Sequence, residues 1–436
     1  MTVAEMFSEL LDNLAITNGE TISLRYGELT TALNKQFRDT DSSTANTLQV
    51  GSFGRKTAID GISDLDMLYI MPKTKWADYD KKDGQSKLLT DTKDAIKKRY
   101  PTTSVRVDRL VVTVTYTDFH VEVQPVFEQD DGSFKYPDTK GGGSWKFTKP
   151  KEEMKAVADR DAAKNSNLRR LCKMARAWKN KHGVGMGGLL IDTLAYNFLG
   201  STSDYDDKSF LYYDFMSRDF FRYLADQPDQ DYYAAPGSGQ RVKVKKKFQR
   251  KAKKAYSLCL KAIEAENQAG VNDKWKKVYG RPFPAAKTRL AEASATRTWA
   301  DTEEFVEDRF PIDIRYDMKI DCEVMQRGFR KFFLSELLNR HIPLKAQKTL
   351  KFWVSELPRL DEPFHIYWKV LNRGDEAQRR NCIRGQIMMD GGWRAREEHT
   401  QFRGDHIVEC YLVKDGVVVA KDRIHVPIVP DGSDYD

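Results

Sequence analysis

The sequence has no apolar run approaching the ~20 residues that a membrane-spanning helix needs, and its first stretch, MTVAEMFSELLDNL, is amphipathic and acidic, without the apolar core of a secretory leader. No membrane is expected as a partner, and a cytoplasmic location is. Cysteine is scarce: the five present (Cys172, Cys259, Cys322, Cys382, Cys410) are odd in number and widely spread, with no C-x-x-C pair and no histidine at zinc-ligand spacing. That pattern argues against a disulfide framework and against structural zinc. Charge of one sign is also lacking, since 72 Lys+Arg against 64 Asp+Glu leave a net charge of only +8, which names no partner by itself. No Gly-x-x-x-x-Gly-Lys-Ser/Thr loop and no kinase signature set occurs, so γ-phosphoryl transfer of those kinds is excluded. What remains is ordinary for an ordered globular protein: 40% hydrophobic and 31% charged residues, in a chain of 436 residues, long enough for two or three structural units.

Periodicity divides the chain. Phe7, Leu10, Leu11 and Leu14, and then Leu29, Leu33 and Phe37, recur at helical spacing and predict one or two amphipathic helices over 3–38. After a polar loop (39–46), short strands are predicted at 48–50 and 65–71, closed by Pro72, with a turn-rich GSFGRKTAIDGIS between them. A helix follows at 86–99, then strands at 104–116 and 118–127. Residues 151–345 read as a helical lobe, strongest at 166–181, 187–199 and 245–269. SELPRLDEP (355–363) reads as a linker, and 364–430 as a small all-β module with Asp415-Gly416 as a hairpin turn and a frayed acidic tail after it.

The chemistry concentrates in LQVGSFGRKTAIDGISDLDMLYIM. Asp64 and Asp66, two apart on a predicted strand, leave the same face of a sheet; a D-x-D alone is weak evidence, because aspartates flank many turns. Gly51-Ser52 ends the preceding strand, where it can offer backbone N–H groups and a hydroxyl to a phosphate, although Ser52 alone could equally cap a helix. Glu122 lies between Val121 and Val123 on a later strand; with the valines in the core it faces the other way, toward a neighbouring strand that could carry the aspartates. Read alone, it could be a surface charge, and His120 on the same face a packing neighbour. Three converging carboxylates repel one another without a cation. Oxygen-only ligands suit Mg²⁺ or Mn²⁺, and a two-ion site performs in-line transfer of a nucleotidyl group.

The string G-S-x-G…S-D-L-D and the later V-E-V-Q-P-V-F resemble the nucleotidyltransferase core of the DNA polymerase β superfamily, and more narrowly the cyclic-oligonucleotide synthases related to cyclic GMP-AMP synthase and oligoadenylate synthase. DGSFKYPDTKGGGSW (131–145), LRRLCKMARAWKNKHG (168–183), PGSGQRV (236–242) and WKKVYGRPFP (275–284) are similar to the bacterial branch of that family, the CD-NTases. Residues 364–430 resemble the adenylyl/guanylyl-and-SMODS-type sensor domain fused to some of them. The resemblance implies an α+β fold in which a polymerase β-like sheet lobe (core about 45–130) packs on a helical lobe within 1–350, with a β-rich sensor at 355–436. It implies that Gly51 and Ser52 cradle a triphosphate, that Asp64, Asp66 and Glu122 bind two Mg²⁺ or Mn²⁺ ions, and that Arg176, the basic residue two before Trp178, contacts donor phosphates with Lys173 one turn earlier. Relatives carry Asp where Glu122 stands, so the longer side chain requires a retracted backbone or a shifted metal. The implied function is condensation of nucleoside triphosphates, ATP or GTP, into a cyclic di- or oligonucleotide, with pyrophosphate release, a separate effector as receiver and a role in anti-phage signalling (CBASS). A nucleic-acid or protein activator is a further possible partner. A linear oligonucleotide polymerase, a protein- or antibiotic-nucleotidylating enzyme, and a degenerate nucleotide sensor stand as alternatives. The chain ends in Asp436 rather than a small residue, so C-terminal conjugation is not expected.

Two stretches carry weaker signals. The cations from Arg241 to Lys254 include no acid and suit either a polyanion or a solvated helix face, the latter favoured. Tyr212, Tyr213, Phe215, Phe220, Phe221 and Tyr223 read as helix core before base-stacking platforms.

Overall fold

The computed structural model of the chain describes residues 1–61, 64–286, 304–325, 331–340, 342, 344–345, 348–372, 385–400 and 404–429. Cys382 and the acidic tail after 429 lie outside them. The chain divides into two compact units, residues 1–181 with 186–286, and residues 182–185 with 287–436.

The first unit begins with two helices, α1 (Val3–Asn13) and α2 (Gly19–Arg38). Thr2 starts α1 as a capping box with Glu5, and Val3, Met6, Phe7 and Leu10 bury one stripe of it. Then follow β1 (Thr47–Gln49), a single turn α3 (Gly51–Gly54), β2 (Asp64–Ile70), α4 (Trp76–Tyr79), α5 (Gly84–Arg99), β3 (Ser104–Val107), β4 (Val112–Thr115), β5 (His120–Glu128), β6 (Phe134–Asp138) and β7 (Ser144–Thr148). Among the described residues these strands form one sheet in the order β1-β2-β5-β4-β3, with β6 joined to β5 and β7 to β6. β2 and β5 run parallel, and β1 pairs antiparallel with β2. The strand expected over 104–116 is two, β3 and β4, folded back on each other.

Period-2 alternation gives the sheet a dry face. Leu65, Met67, Tyr69, Val112, Val114, Val121 and Val123 point to that side, against Leu29 and Leu33 of α2 and Leu88, Leu89 and Ile96 of α5. The intervening residues of β2 and β5 turn to the other face. The helical part of the unit comprises α6 (Pro150–Ala163), α7 (Asn167–His182), α8 (Gly188–Gly200), α9 (Tyr213–Ala225), a two-stranded ribbon of β8 (Tyr232–Ala234) and β9 (Arg241–Lys243), α10 (Gln249–Ile263) and α11 (Val271–Tyr279). Phe7 meets the rings of Tyr213, Trp275, Tyr279 and Phe283 edge-on at 5.0–6.2 Å, so α1 is a structural member of this part. Tyr213, Phe220 and Phe221 are core, as expected. On α10, Ala252, Ala255 and Cys259 are buried while Arg250, Lys253 and Lys254 are exposed, so this part of the basic run is the outer face of an amphipathic helix.

The second unit holds β10 (Lys319–Met325), β11 (Phe332–Phe333), α12 (Leu334–Asn339), β12 (Leu344–Lys345), β13 (Thr349–Glu356), β14 (His365–Leu371), β15 (Ile387–Met389), β16 (Ala395–His399), β17 (Gly404–Lys414) and β18 (Val417–Val429). Among the described residues two sheets, β11-β10-β13-β16 and β12-β18-β17-β14-β15, share one core that includes Cys322, Phe352, Trp368, Cys410 and Leu412. Asp415 and Gly416 turn the β17–β18 hairpin at φ 53° and 76°, the left-handed pair such a turn requires. The expected boundary near 350 is corrected here. Residues 304–345 belong with the β-rich unit, because Ile320, Cys322 and Val324 alternate inward on β10 and β10 pairs with β13. SELPRLDEP accordingly connects two strands inside that unit and is not a linker between domains.

Candidate active site

The register of β2 on β5 builds the site. Asp64 lies opposite His120, and Asp66 opposite Glu122; in a parallel pair, residues in register project to one face. The alternation that buries Leu65, Met67, Val121 and Val123 thus turns Asp64, Asp66 and Glu122 to the face away from α2 and α5. All three are partly exposed. His120 is buried, a packing neighbour as the sequence suggested, and Thr113 of β4 lies opposite Glu122 on its other side.

Gly51 fits against this face. It adopts φ 63°, and a Cβ on it would stand 1.7 Å from Asp66 Oδ2 and 2.6 Å from its Cγ. Only glycine satisfies both demands, the left-handed backbone and the close approach. The Val50 amide donates to the Asp66 carbonyl (3.0 Å), tying the turn to the strand. Val50, not Ser52, occupies the N-cap of α3, which removes the simple capping reading of Ser52. The Ser52 carbonyl accepts from the amides of Thr57 (2.8 Å) and Ala58 (3.2 Å).

Behind this turn lies a buried charge network that sequence reasoning missed. Asp192 on α8 is 0% exposed and accepts from Arg55 Nε (2.8 Å), Thr57 Oγ1 (2.9 Å), and Arg176 Nη1 (2.6 Å) and Nη2 (3.0 Å). Arg55 also stands 3.6 Å from Glu153, whose other oxygen accepts from Ser238 (3.0 Å). Burial alone would raise the Asp192 carboxyl, but the two guanidiniums reverse it and hold it down at about 2. The sequence signal was the lone acid of GLLIDTLAYNFLG, since an Asp in an otherwise apolar helix requires a buried partner.

This network redirects Arg176. Arg176 is 5% exposed, and its guanidinium is bound to Asp192 and to the Gly188 carbonyl (3.2 Å), so contact with donor phosphates would require breaking a buried ion pair. Lys173 lines a different cleft, which includes neither the three carboxylates nor Gly51 or Ser52. The structure therefore brings together Gly51, Ser52, Asp64, Asp66 and Glu122, and leaves Lys173 and Arg176 out of that group.

As a donor set, three carboxylates with no thiol or imidazole ligand suit a hard divalent cation, and Gly51 leaves the Asp66 carboxylate room at the turn. Among the described residues, no three His, Cys, Asp or Glu side chains close around one point at ligand spacing. The fold supplies a shared face, and like charges on it have no reason to converge before a cation is present.

Residues 1–161, which contain all five grouped positions, match the family model of the Second Messenger Oligonucleotide or Dinucleotide Synthetase domain. Residues 300–429 match that of the Adenylyl/Guanylyl and SMODS C-terminal sensor domain. Among solved structures, 64% of the chain aligns with 98% of CdnC from Escherichia coli MS115-1, solved as a complex with HORMA-deltaN, at 15% identity and a TM-score of 0.49. A further alignment covers 64% of the chain and 96% of CdnG from Bradyrhizobium diazoefficiens in complex with GTP (13% identity, TM-score 0.48). GTP-bound DncV from Vibrio cholerae aligns over 63% of the chain and 93% of its own (14%, 0.46). No curated protein matches the chain. The carboxylate face lies inside the matched synthetase domain and the β-rich unit under the matched sensor domain, so this chain joins a nucleotidyltransferase domain of the second-messenger oligonucleotide or dinucleotide synthetase type to a C-terminal sensor domain of the Adenylyl/Guanylyl and SMODS type.

Proposed function

We propose that this chain condenses nucleoside triphosphates, ATP or GTP, into a cyclic di- or oligonucleotide that acts on a separate effector in anti-phage signalling, the CBASS setting implied by the family. The observation that carries the reaction is the β2–β5 register, which sets Asp66 beside Glu122 and Asp64 two residues before it on one face. Asp64, Asp66 and Glu122 would hold two Mg²⁺ or Mn²⁺ ions, whose chemistry is to activate the attacking hydroxyl and to neutralise the triphosphate. Gly51 and Ser52 receive the triphosphate at the turn. A ribose 3′ or 2′ hydroxyl attacks the α-phosphorus: the new P–O bond forms, the α–β bridging bond breaks, pyrophosphate leaves with its electron pair, and the hydroxyl proton passes to Glu122. Repeating the step within the linear intermediate closes the ring.

The test is incubation of the full-length protein with the four ribonucleoside triphosphates and Mg²⁺ or Mn²⁺, followed by phosphatase treatment and mass spectrometry. A phosphatase-resistant cyclic product is expected, together with pyrophosphate release. A linear, exonuclease-sensitive product would move the chain to the polymerase alternative. Transfer onto protein would identify the nucleotidylating one. A wild-type protein indistinguishable from Asp64→Asn, with and without nucleic-acid or protein activators, would sink the reading.

A further inference from the structure

The second cleft of this unit has a charge arrangement that the catalytic face does not use. It measures about 460 Å³, within the ~300–1,000 Å³ range of small-molecule sites, and lies between α1, the turn after α3 and the α6–α7 junction. Four cations line it, Lys56, Arg169, Arg170 and Lys173, against two acids, Asp12 and Asp161. Asp161 is already engaged. Its Oδ1 accepts the Arg169 amide at 2.9 Å and its Oδ2 stands 3.2 Å from Arg169 Nη1. Asp12 is exposed, so its charge is screened by water.

The two arginines are held in place by their contacts. The Arg170 guanidinium stacks over the Phe210 ring, 4.7 Å from its centroid, and donates to Tyr213 Oη (3.2 Å) and the Asn165 carbonyl (3.3 Å), which leaves further N–H donors of its fork for a ligand. Arg169 Nε donates to the Arg55 carbonyl (3.1 Å). Lys56 is exposed and is presented from a left-handed backbone position at φ 60°. Lys173 is half-buried, and among the described residues no carboxylate stands within ion-pair distance of it. Burial first, and then the nearby Arg169, push its ammonium below the ordinary lysine range, with Asp161 pulling the other way and Arg170 adding a smaller push. A half-buried lysine beside two arginines is a repulsive arrangement that an anion relieves.

We propose that this cleft binds a small molecule carrying phosphoryl groups, at a site separate from the carboxylate face. Planar arginine forks select oxyanions of phosphate or carboxylate geometry, and four cations against one screened and one engaged acid favour a polyvalent phosphate over a monocarboxylate. The site goes beyond the synthetic reaction and does not depend on it. Because Arg169 bonds the backbone of Arg55, which in turn holds Asp192, an occupant would bear on the turn that carries Gly51.

The experiment is isothermal titration of the full-length protein with inorganic tripolyphosphate in EDTA, where the carboxylate face has no cation to draw an anion. One bound tripolyphosphate is expected. Lys56→Glu and Lys173→Gln should each weaken it at least about tenfold, and Asp66→Asn should leave it unchanged. AMP and inorganic phosphate, titrated alongside, separate two sources: tighter AMP binding points to a nucleotide, and equal binding to the phosphoryl group alone. Wild-type affinity in both Lys56→Glu and Lys173→Gln overturns the proposal. So does equal loss in Asp66→Asn. Unfolding midpoints of the variants, matched to wild type, exclude misfolding as the cause, and the exposed Lys56 keeps the test valid where Lys173→Gln does not fold.

Discussion

On the sheet, Asp64, Asp66 and Glu122 stand at adjacent positions of one face and stay partly exposed. On α8, by contrast, Asp192 is wholly buried and enclosed by Arg55, Thr57 and Arg176. The first arrangement gathers three charges of one sign on one sheet face. The second supplies its own counter-charges and shuts out water. Buried ion pairs add little net stability against an apolar alternative, yet losing one partner is costly, and so the second cluster fixes geometry. Here it fixes the segment of Arg55 and Thr57 that follows Gly51 and Ser52. Asp192 is dehydrated and enclosed, whereas the three sheet carboxylates are held in register and partly exposed.

The largest expected effects test the open cluster. Asp66→Asn and Glu122→Gln should each lower the rate of product formation more than about 100-fold, with the unfolding midpoint unchanged or raised, because like charges on one sheet face oppose folding. Glu122→Asp should keep activity well above Glu122→Gln. Gly51→Ala should join the inactive group, since its methyl would displace the Asp66 carboxylate from 1.7 Å away. The comparison breaks if these variants lose stability in proportion to activity, which rate measurements beside thermal unfolding would show.

The enclosed cluster should behave in the opposite way. Asp192→Asn leaves two guanidiniums buried against a neutral amide, and a loss of about 3–5 kcal/mol in folding stability follows, read as a lower denaturation midpoint in urea. Its pH dependence has a definite sign. A carboxyl held at about 2 in the folded protein and near ~3.9 when unfolded contributes stability above pH ~4 that is lost as pH falls toward 2. The wild-type protein should show this acid slope and Asp192→Asn should lack it. An unaltered slope would mean that Asp192 is not ionised in the fold.

Much of this was legible in the sequence, for identifiable reasons. The valines flanking Glu122 announced a strand with one dry face, and that alternation placed the three acids correctly. Gly51 was legible as a position of close approach to a phosphate, and the close approach that the structure shows is to the Asp66 carboxylate. What misled was spacing without burial. Arg176 two before Trp178 is a family position, but Asp192, sixteen residues later, decides where its guanidinium goes, and long-range ion pairs leave no periodic trace. The domain boundary failed similarly. LSELLN reads as helix and is one (α12), yet it lies among strands whose pairing with residues far along the chain sets the unit.

The smallest effect sharpens the contrast between a buried acid with counter-ions and one without. Asp214 in the first turn of α9 is 3% exposed, and its carboxylate accepts from the Phe215 amide (2.7 Å). Burial, followed by the Glu266 charge, raises its carboxyl to about 6 against a weaker pull from Arg218. The folded state then binds the proton more tightly than the unfolded chain, so between pH ~4 and about 6 stability falls as pH rises, the reverse of the Asp192 slope. Asp214→Asn keeps an acceptor for the Phe215 amide and removes the charge. It should flatten that slope and raise stability at pH 7.5 by about 1–3 kcal/mol, measured by urea unfolding at pH 5 and pH 7.5. A destabilised Asp214→Asn at pH 7.5 would show that burial without a cation is not what distinguishes the two acids.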